Sequence, residues 1–200
     1  MAKGSRDIIL RDRLQFEINT DGDTALVYGR IDCSDYVSIV KNEGLAIKEI
    51  RFQLRTTADA NNGQWPLVML ADNYAAGARA DLKIFATTTA YENVVDVGIA
   101  SPNVLCVHEQ QTTYSTPNTT LPAADRAQDT LSRTTWFGTP DLHPDGYDIV
   151  TDLLIGIALS NCNNVWLADT TAELDVMIIA EPKKITSKDL TQMLTQAQDL

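Results

Sequence analysis

Two apolar runs close together in the last third of the chain restrict its fold more than any other feature. The first extends from Ile149 to Leu159 and ends in a polar turn at 160–164; the second extends from Leu174 to Glu181. Near-continuous apolar segments of this length, bounded by Asn, Ser and Pro, suit strands buried on at least one face. A pair of such strands needs a second layer to cover it. The expectation is therefore an all-β chain, a two-sheet antiparallel β-sandwich.

The rest of the chain supplies candidates for that second layer. Leu14, Phe16 and Ile18 alternate with polar residues, Asp21-Gly22 marks a tight turn, and a second strand resumes over 24–31, which predicts a hairpin at 13–31. Ile50, Phe52 and Leu54 alternate with Arg51, Gln53 and Arg55. Arg51 and Arg55 thus face outward, toward solvent or toward a neighbouring subunit's carboxylates. Further strands are expected at 66–71, 82–89, 94–99, 104–114 and 134–138. Over 104–110, Val104, Cys106, His108 and Gln110 fall on one face, and Leu105, Val107 and Glu109 on the other. Residues 34–44 read as a short helix, capped by Ser34, stopped by Gly44, with Tyr36, Val37 and Val40 as its apolar face. Residues 115–135 lack any apolar period and read as a long loop. About eight strands with uneven connections favour a jelly roll. An immunoglobulin-like sandwich comes second, because its Cys…Trp…Cys spacing is missing. The expected core contains Ile50, Phe52, Leu54, Ile155, Ile157, Val176 and Ile178.

Beyond the second run, Pro182, Lys183 and Lys184 read as a break. Thr186 to Asp189 then form a capping box, and Leu190, Met193, Leu194 and Ala197 recur at helical spacing. An amphipathic helix this short needs a surface to lie on. Its stripe of Leu190, Met193, Leu194 and Ala197 is expected to serve assembly on a neighbouring subunit; the alternative is that it caps its own sandwich. The resulting division is an N-terminal arm at 1–12, the sandwich at 13–181, and a linker and helix at 182–200.

Chemistry is harder to find. The 200 residues carry 16 basic and 27 acidic side chains, a formal charge of −11, which repels phosphates unless cations gather locally. Only Lys3, Arg6, Arg11 and Arg13 approach a cluster, and Asp7 and Asp12 interrupt it. Nucleic-acid contact is confined to that arm. Three cysteines without paired spacing, Cys33, Cys106 and Cys162, suggest neither a metal knuckle nor a disulfide framework. His108 and Glu109 point to opposite faces of a strand. Asp141, His143, Asp145 and Asp148 form the densest set of potential ligands, but they surround a Pro-Asp-Gly turn where Asp is expected for backbone reasons. No catalytic, cofactor-binding or metal-binding set is read, and the chain is expected not to be an enzyme. No apolar run reaches the length of a membrane span, and residues 1–7 do not read as a secretion signal.

The ordering of these segments resembles that of single jelly-roll capsid proteins of small tailless icosahedral viruses. The resemblance is carried by 13–31, by Gly29 to Val37, by the strand from Ile47 to Arg55, and by the closing runs at 149–159 and 172–181. It implies a structural virion protein, a self-assembling capsid subunit, with copies of itself and other virion proteins as partners and the virion, assembled in the host cytoplasm, as its location. Unlike many such proteins the chain lacks a strongly basic N-terminal arm, so the resemblance does not extend to genome packaging. Two other readings stay open. One is a carbohydrate-binding or other β-sandwich binding module, although Trp65, Trp136 and Trp166 are scattered rather than aligned. The other is an enzyme on a β-sandwich scaffold.

Overall fold

The computed structural model describes residues 6–57, 62–65, 79–115, 129–137, 145–162 and 167–196. In chain order the strands are β1 (Ile8–Ile18), β2 (Thr24–Ile31), β3 (Glu43–Thr56), β4 (Arg79–Thr87), β5 (Val104–Ser115), β6 (Asp129–Phe137), β7 (Tyr147–Ile149), β8 (Leu153–Ser160) and β9 (Thr170–Lys184), followed by helix α1 (Ser187–Gln196). They form two antiparallel sheets, ordered β1-β9-β3-β7 and β2-β8-β4-β5-β6. Four strands of the first sheet facing β2, β8, β4 and β5 of the second, with the chain crossing between sheets at every step from β1 to β4 and from β6 to β9, make a jelly roll, with β6 added at one edge.

The two apolar runs are central strands, but they are not partners. β9 lies between β1 and β3; β8 lies between β2 and β4 in the other sheet. The first run is also not one strand. It is interrupted at 150–152, so that Tyr147–Ile149 joins the four-stranded sheet and Leu153–Ser160 joins the five-stranded one. Asp152 fixes the crossing: its carboxylate accepts the Cys33 N–H at 2.9 Å and pairs with Arg30. A period-2 pattern names the face a residue occupies and not the strand beside it, which is why both features escaped the sequence.

The same reason corrects the 13–31 hairpin. β1 and β2 belong to different sheets, each flanking one apolar central strand. Asp21-Gly22 does turn the chain, with Gly22 at φ 80° donating its N–H to Asn19 O at 3.0 Å. The turn carries it across the sandwich. The helix expected at 34–44 is a series of turns closed by a bridge between Ser38 and Glu43. Gly44 is needed for close approach rather than for a helix stop: a Cβ there would stand 2.5 Å from the Ile149 carbonyl oxygen. Residues 94–99 form a 3-10 turn (Val94–Asp96) rather than a strand. Residues 66–71 lie outside the described residues, and 129–135 belong to β6 rather than to a loop.

The sandwich also reaches further than the periodicity suggests. β1 begins at Ile8, within the expected arm, and Arg13 is ion-paired to Asp175 at 2.6 Å. β9 continues through Pro182, which stands opposite Leu45 of β3. β1 stops at Ile8 opposite Ala180. Among the described residues the other side of β9 is therefore open at Pro182, where a missing N–H costs no ladder bond.

Between the sheets lie Phe16, Ile18, Leu45, Ile47, Ile50, Ile84, Ile155, Ile157, Leu174, Val176 and Ile178, all buried. Phe52 and Leu54, expected in this core, pack against it while only partly buried. A bulge at Leu105 changes the expected face order of β5. Ala86 pairs with Cys106 and Thr87 with Val104, so Leu105 packs on the main core while Val104 joins Val107 on the outer face. His108 stays inside, where burial lowers its imidazole below the ordinary value. Burial also pushes the thiols up, Cys33 to about 11 and Cys106 and Cys162 to about 12. These sulfurs are inert packing groups.

Candidate assembly surface

Three connections and the helix leave from one end of the sandwich. Ile31 pairs with Leu153, and Thr87 with Leu154 and Val104, at the end of the five-stranded sheet. Leu45 opposite Ile149 and Glu43 opposite Lys184 mark the same end of the four-stranded sheet. The β2–β3, β4–β5 and β7–β8 connections therefore leave from here, and so does α1.

Thr186 caps the start of α1 as the sequence indicates, with Asp189 returning to its hydroxyl rather than to its backbone N–H. Thr186 Oγ1 accepts the Asp189 N–H at 3.2 Å and donates to Asp189 Oδ2 at 2.6 Å. Leu190 is buried against Val150 and Ile185, and Met193 and Leu194 pack on that cluster while only partly buried, together with Val37. The stripe thus rests on its own domain, with its outer half open to a groove of about 310 Å³ bordered by Thr88, Tyr147, Asp148 and Thr151. Ala197 lies outside the described residues. Lys183 pairs with Asp148 at 2.7 Å and Lys184 with Glu43 at 2.7 Å; the Lys184 hydrogen bond holds the Glu43 carboxyl below its usual range.

The β4–β5 connection folds back from this end over the outer face of the five-stranded sheet. Phe85, Val97, Val104 and Val107 form a small buried cluster there, joined by Leu26, Tyr28, Tyr91 and Val94. Its centre is a row across three strands: Tyr28 and Phe85 both stand opposite Gly156. Their rings meet edge to face over that glycine, 5.8 Å between centroids. A Cβ on Gly156 would come within 2.6 Å of three carbons of the Phe85 ring. The Tyr28 hydroxyl then secures the connection, accepting the Tyr91 N–H at 2.8 Å and donating to Tyr91 O at 3.2 Å. Pinned in this way, the segment leaves Val95 83% and Ile99 64% exposed.

The β2–β3 connection is held comparably. Tyr36 and Val37 donate their N–H groups to Cys33 O at 2.9 and 3.0 Å, and Ser38 exchanges backbone bonds with Glu43. Its tip exposes Ile39 by 48% and Val40 by 95%. Sequence reasoning missed these four positions. A strand was expected at 94–99 and a helix at 34–44 with Val40 on its apolar face, and neither reading left an exposed apolar tip.

The outer face of the four-stranded sheet differs. Arg13 and Arg55 share Glu173 and Asp175, with Arg55 Nε 3.0 Å from Asp175 Oδ2 and Gln15 donating to Glu173 at 3.0 Å. Arg51 pairs with Glu49. The carboxylates that meet Arg51 and Arg55 therefore come from the chain itself. A groove of about 470 Å³ on the five-stranded side is lined by Arg79, Asp81, Lys83, Glu109 and Gln111. Its polar groups satisfy one another: Asp81 accepts from Arg79 and Gln111, and Glu109 pairs with Lys83 at 3.0 Å. Among the described residues no group of three or more His, Cys, Asp or Glu could hold a metal ion. Asp141 and His143 lie outside them. Trp65 packs against the main core, so it is not part of an exposed aromatic row. No helix among the described residues is long and apolar enough to cross a membrane.

No family model matches the chain, and no curated protein does. Among solved structures it is similar to VP1 of Trichodysplasia spinulosa-associated polyomavirus in complex with 3′-sialyllactose, at 7% identity and a TM-score of 0.33, covering 91% of this chain and 97% of that one. The same VP1 in complex with sialylated precision glycooligomers gives 9% identity and a TM-score of 0.31, covering 91% and 95%. The tailspike protein of Acinetobacter baumannii phage AM24 gives 12% identity and a TM-score of 0.18, covering 88% of this chain and 26% of that one. The strand order of the chain itself, rather than these likenesses, assigns the jelly roll.

Proposed function

We propose that the chain is a structural virion protein, a subunit that assembles with copies of itself into a shell. The observation that carries this reading is the placement of exposed apolar side chains. Of the six large exposed apolar residues among those described, Ile39, Val40, Val95 and Ile99 sit on two connections fastened to the sandwich. Aliphatic groups held rigid in water are a standing incentive to association. Covering each would contribute roughly 1.5–3 kcal/mol, and a fixed loop loses little further entropy on contact. Within this reading α1 is anchored to its own domain by Leu190 and offers Met193 and Leu194 to a neighbour. Other virion proteins are its further partners, and the virion is its location.

Light scattering after size exclusion, with electron microscopy of the fractions, tests the proposal. The wild-type chain should form large closed particles. A Val40→Asp/Val95→Asp double variant, both changes on exposed positions, should stay folded and elute as small species. A wild-type chain that is monomeric at every concentration, or a variant that assembles unchanged, would overturn it.

A further inference from the structure

β1 presents an eleven-residue strand whose second edge pairs with nothing among the described residues. Such an edge is a template for another extended strand, and β1 of a second copy is the partner always present at equal concentration. The chemistry along it is unfavourable to that partner. Asp12 stands opposite Val176, which stands opposite Phe52. Residues directly opposite in an antiparallel ladder project to one face, so Asp12 occupies the inner, core-facing register. It is the only charged residue in that register of β1: Ile8, Leu10, Leu14, Phe16 and Ile18 share it. Yet it is exposed, and its carboxylate accepts the Arg13 N–H at 2.7 Å, a donor that the ladder to β9 therefore leaves free. Strand geometry sends the N–H and C=O of alternate residues to opposite sides. With the Arg13 N–H directed outward, the polar groups of Ile9, Arg11, Gln15 and Glu17 share the free edge. Further along, Thr24 of β2 donates its hydroxyl to the Glu17 carbonyl at 2.8 Å. The edge therefore has one donor taken, one acceptor taken, and a charge that a paired strand would have to bury.

We propose that the free edge of β1 is an interaction surface kept closed by Asp12, with Thr24 closing its far end, and that Asp12 prevents edge-to-edge pairing with a second copy. This stands apart from the reading of the chain as a shell subunit, and if both hold, assembly proceeds through connections and faces and not by extending the four-stranded sheet.

Amide hydrogen exchange of the full chain across a concentration series tests it. The readout is the protection of Arg11 and Gln15, whose N–H groups point to the free edge. In wild type both should exchange fast at all concentrations, whether or not particles form. In Asp12→Val, and in the milder Asp12→Thr, both should gain concentration-dependent protection, with elongated species in the microscope. Slow exchange at these positions in wild type would overturn the proposal, since the edge would already be paired. So would a folded Asp12→Val or Asp12→Thr whose β1 exchange and mass match wild type at every concentration.

Discussion

The outer faces of the two sheets are opposite solutions to one problem. On the four-stranded sheet the outward positions of β1, β3 and β9 carry Arg13, Arg55, Glu173 and Asp175, which pair with one another beside solvent. On the five-stranded sheet the outward positions of β2, β8, β4 and β5 include Tyr28, Gly156, Phe85 and Val107, and a whole connection folds down to cover them. A strand with one wet face alternates, and a strand covered on both faces reads as a continuous apolar run. β8 is such a strand, buried at nearly every position from Leu153 to Leu159. The difference teaches that a third, partial layer was encoded in β8 and that the segment supplying it had to be sought between β4 and β5.

If the covered face behaves as a second small core, truncating its centre should be costly. Phe85→Ala is expected to lose about 3–5 kcal/mol of unfolding free energy, read as a drop in the urea midpoint at unchanged slope. A loss below ~1 kcal/mol would mean that the cover is decorative. A smaller effect, about 1–2 kcal/mol, is expected from Tyr28→Phe, which keeps the ring pair but leaves the Tyr91 N–H without its acceptor. Its distinguishing mark is faster amide exchange at Tyr91, with the central strands unaffected. The bare face should give the least. Gln15 and the flanking arginines hold the Glu173 carboxyl below its usual range. A carboxylate with a lowered folded value stabilises above its unfolded value, and that contribution is lost as pH falls through the folded one. Glu173→Gln should therefore lower stability slightly at neutral pH and not at all once the wild-type carboxyl is protonated, and added salt should shrink the difference. An effect rivalling Phe85→Ala would erase the contrast between the faces.

Much of the architecture was legible because burial imposes a period. Ile50, Ile155, Ile157, Val176 and Ile178 are core residues where alternation put them, and Thr186 caps α1 where the box pattern put it. Partnership was not legible. The same alternation in β1 and β2 is compatible with a hairpin and with the flanks of two separate sheets, and only the demand of β8 and β9 for neighbours on both sides separates the two. Local signals also misled where tertiary contact outweighed them. Gly44 looked like a helix stop and is a point of close approach. The valines around Asp96 looked like a strand, yet of that group only Val97 is buried. The exposed set, Ile39, Val40, Val95 and Ile99, was the hardest to find, because no sequence period marks an apolar residue that faces water.

The ring pair over Gly156 also binds two distant positions into one inheritance. Nothing larger than hydrogen fits at 156 while a phenyl ring lies across it, and a small residue at 85 would leave a hollow above the glycine. Neither site can drift alone, so in descendants of this chain a bulkier residue at 156 should arise only after, or together with, a slimmer one at 85. Lineages would then divide by which side of the strand boundary carries the volume. The hydroxyl of Tyr28 extends the bond to a third site, since a ring displaced by such an exchange would release its hold on Tyr91.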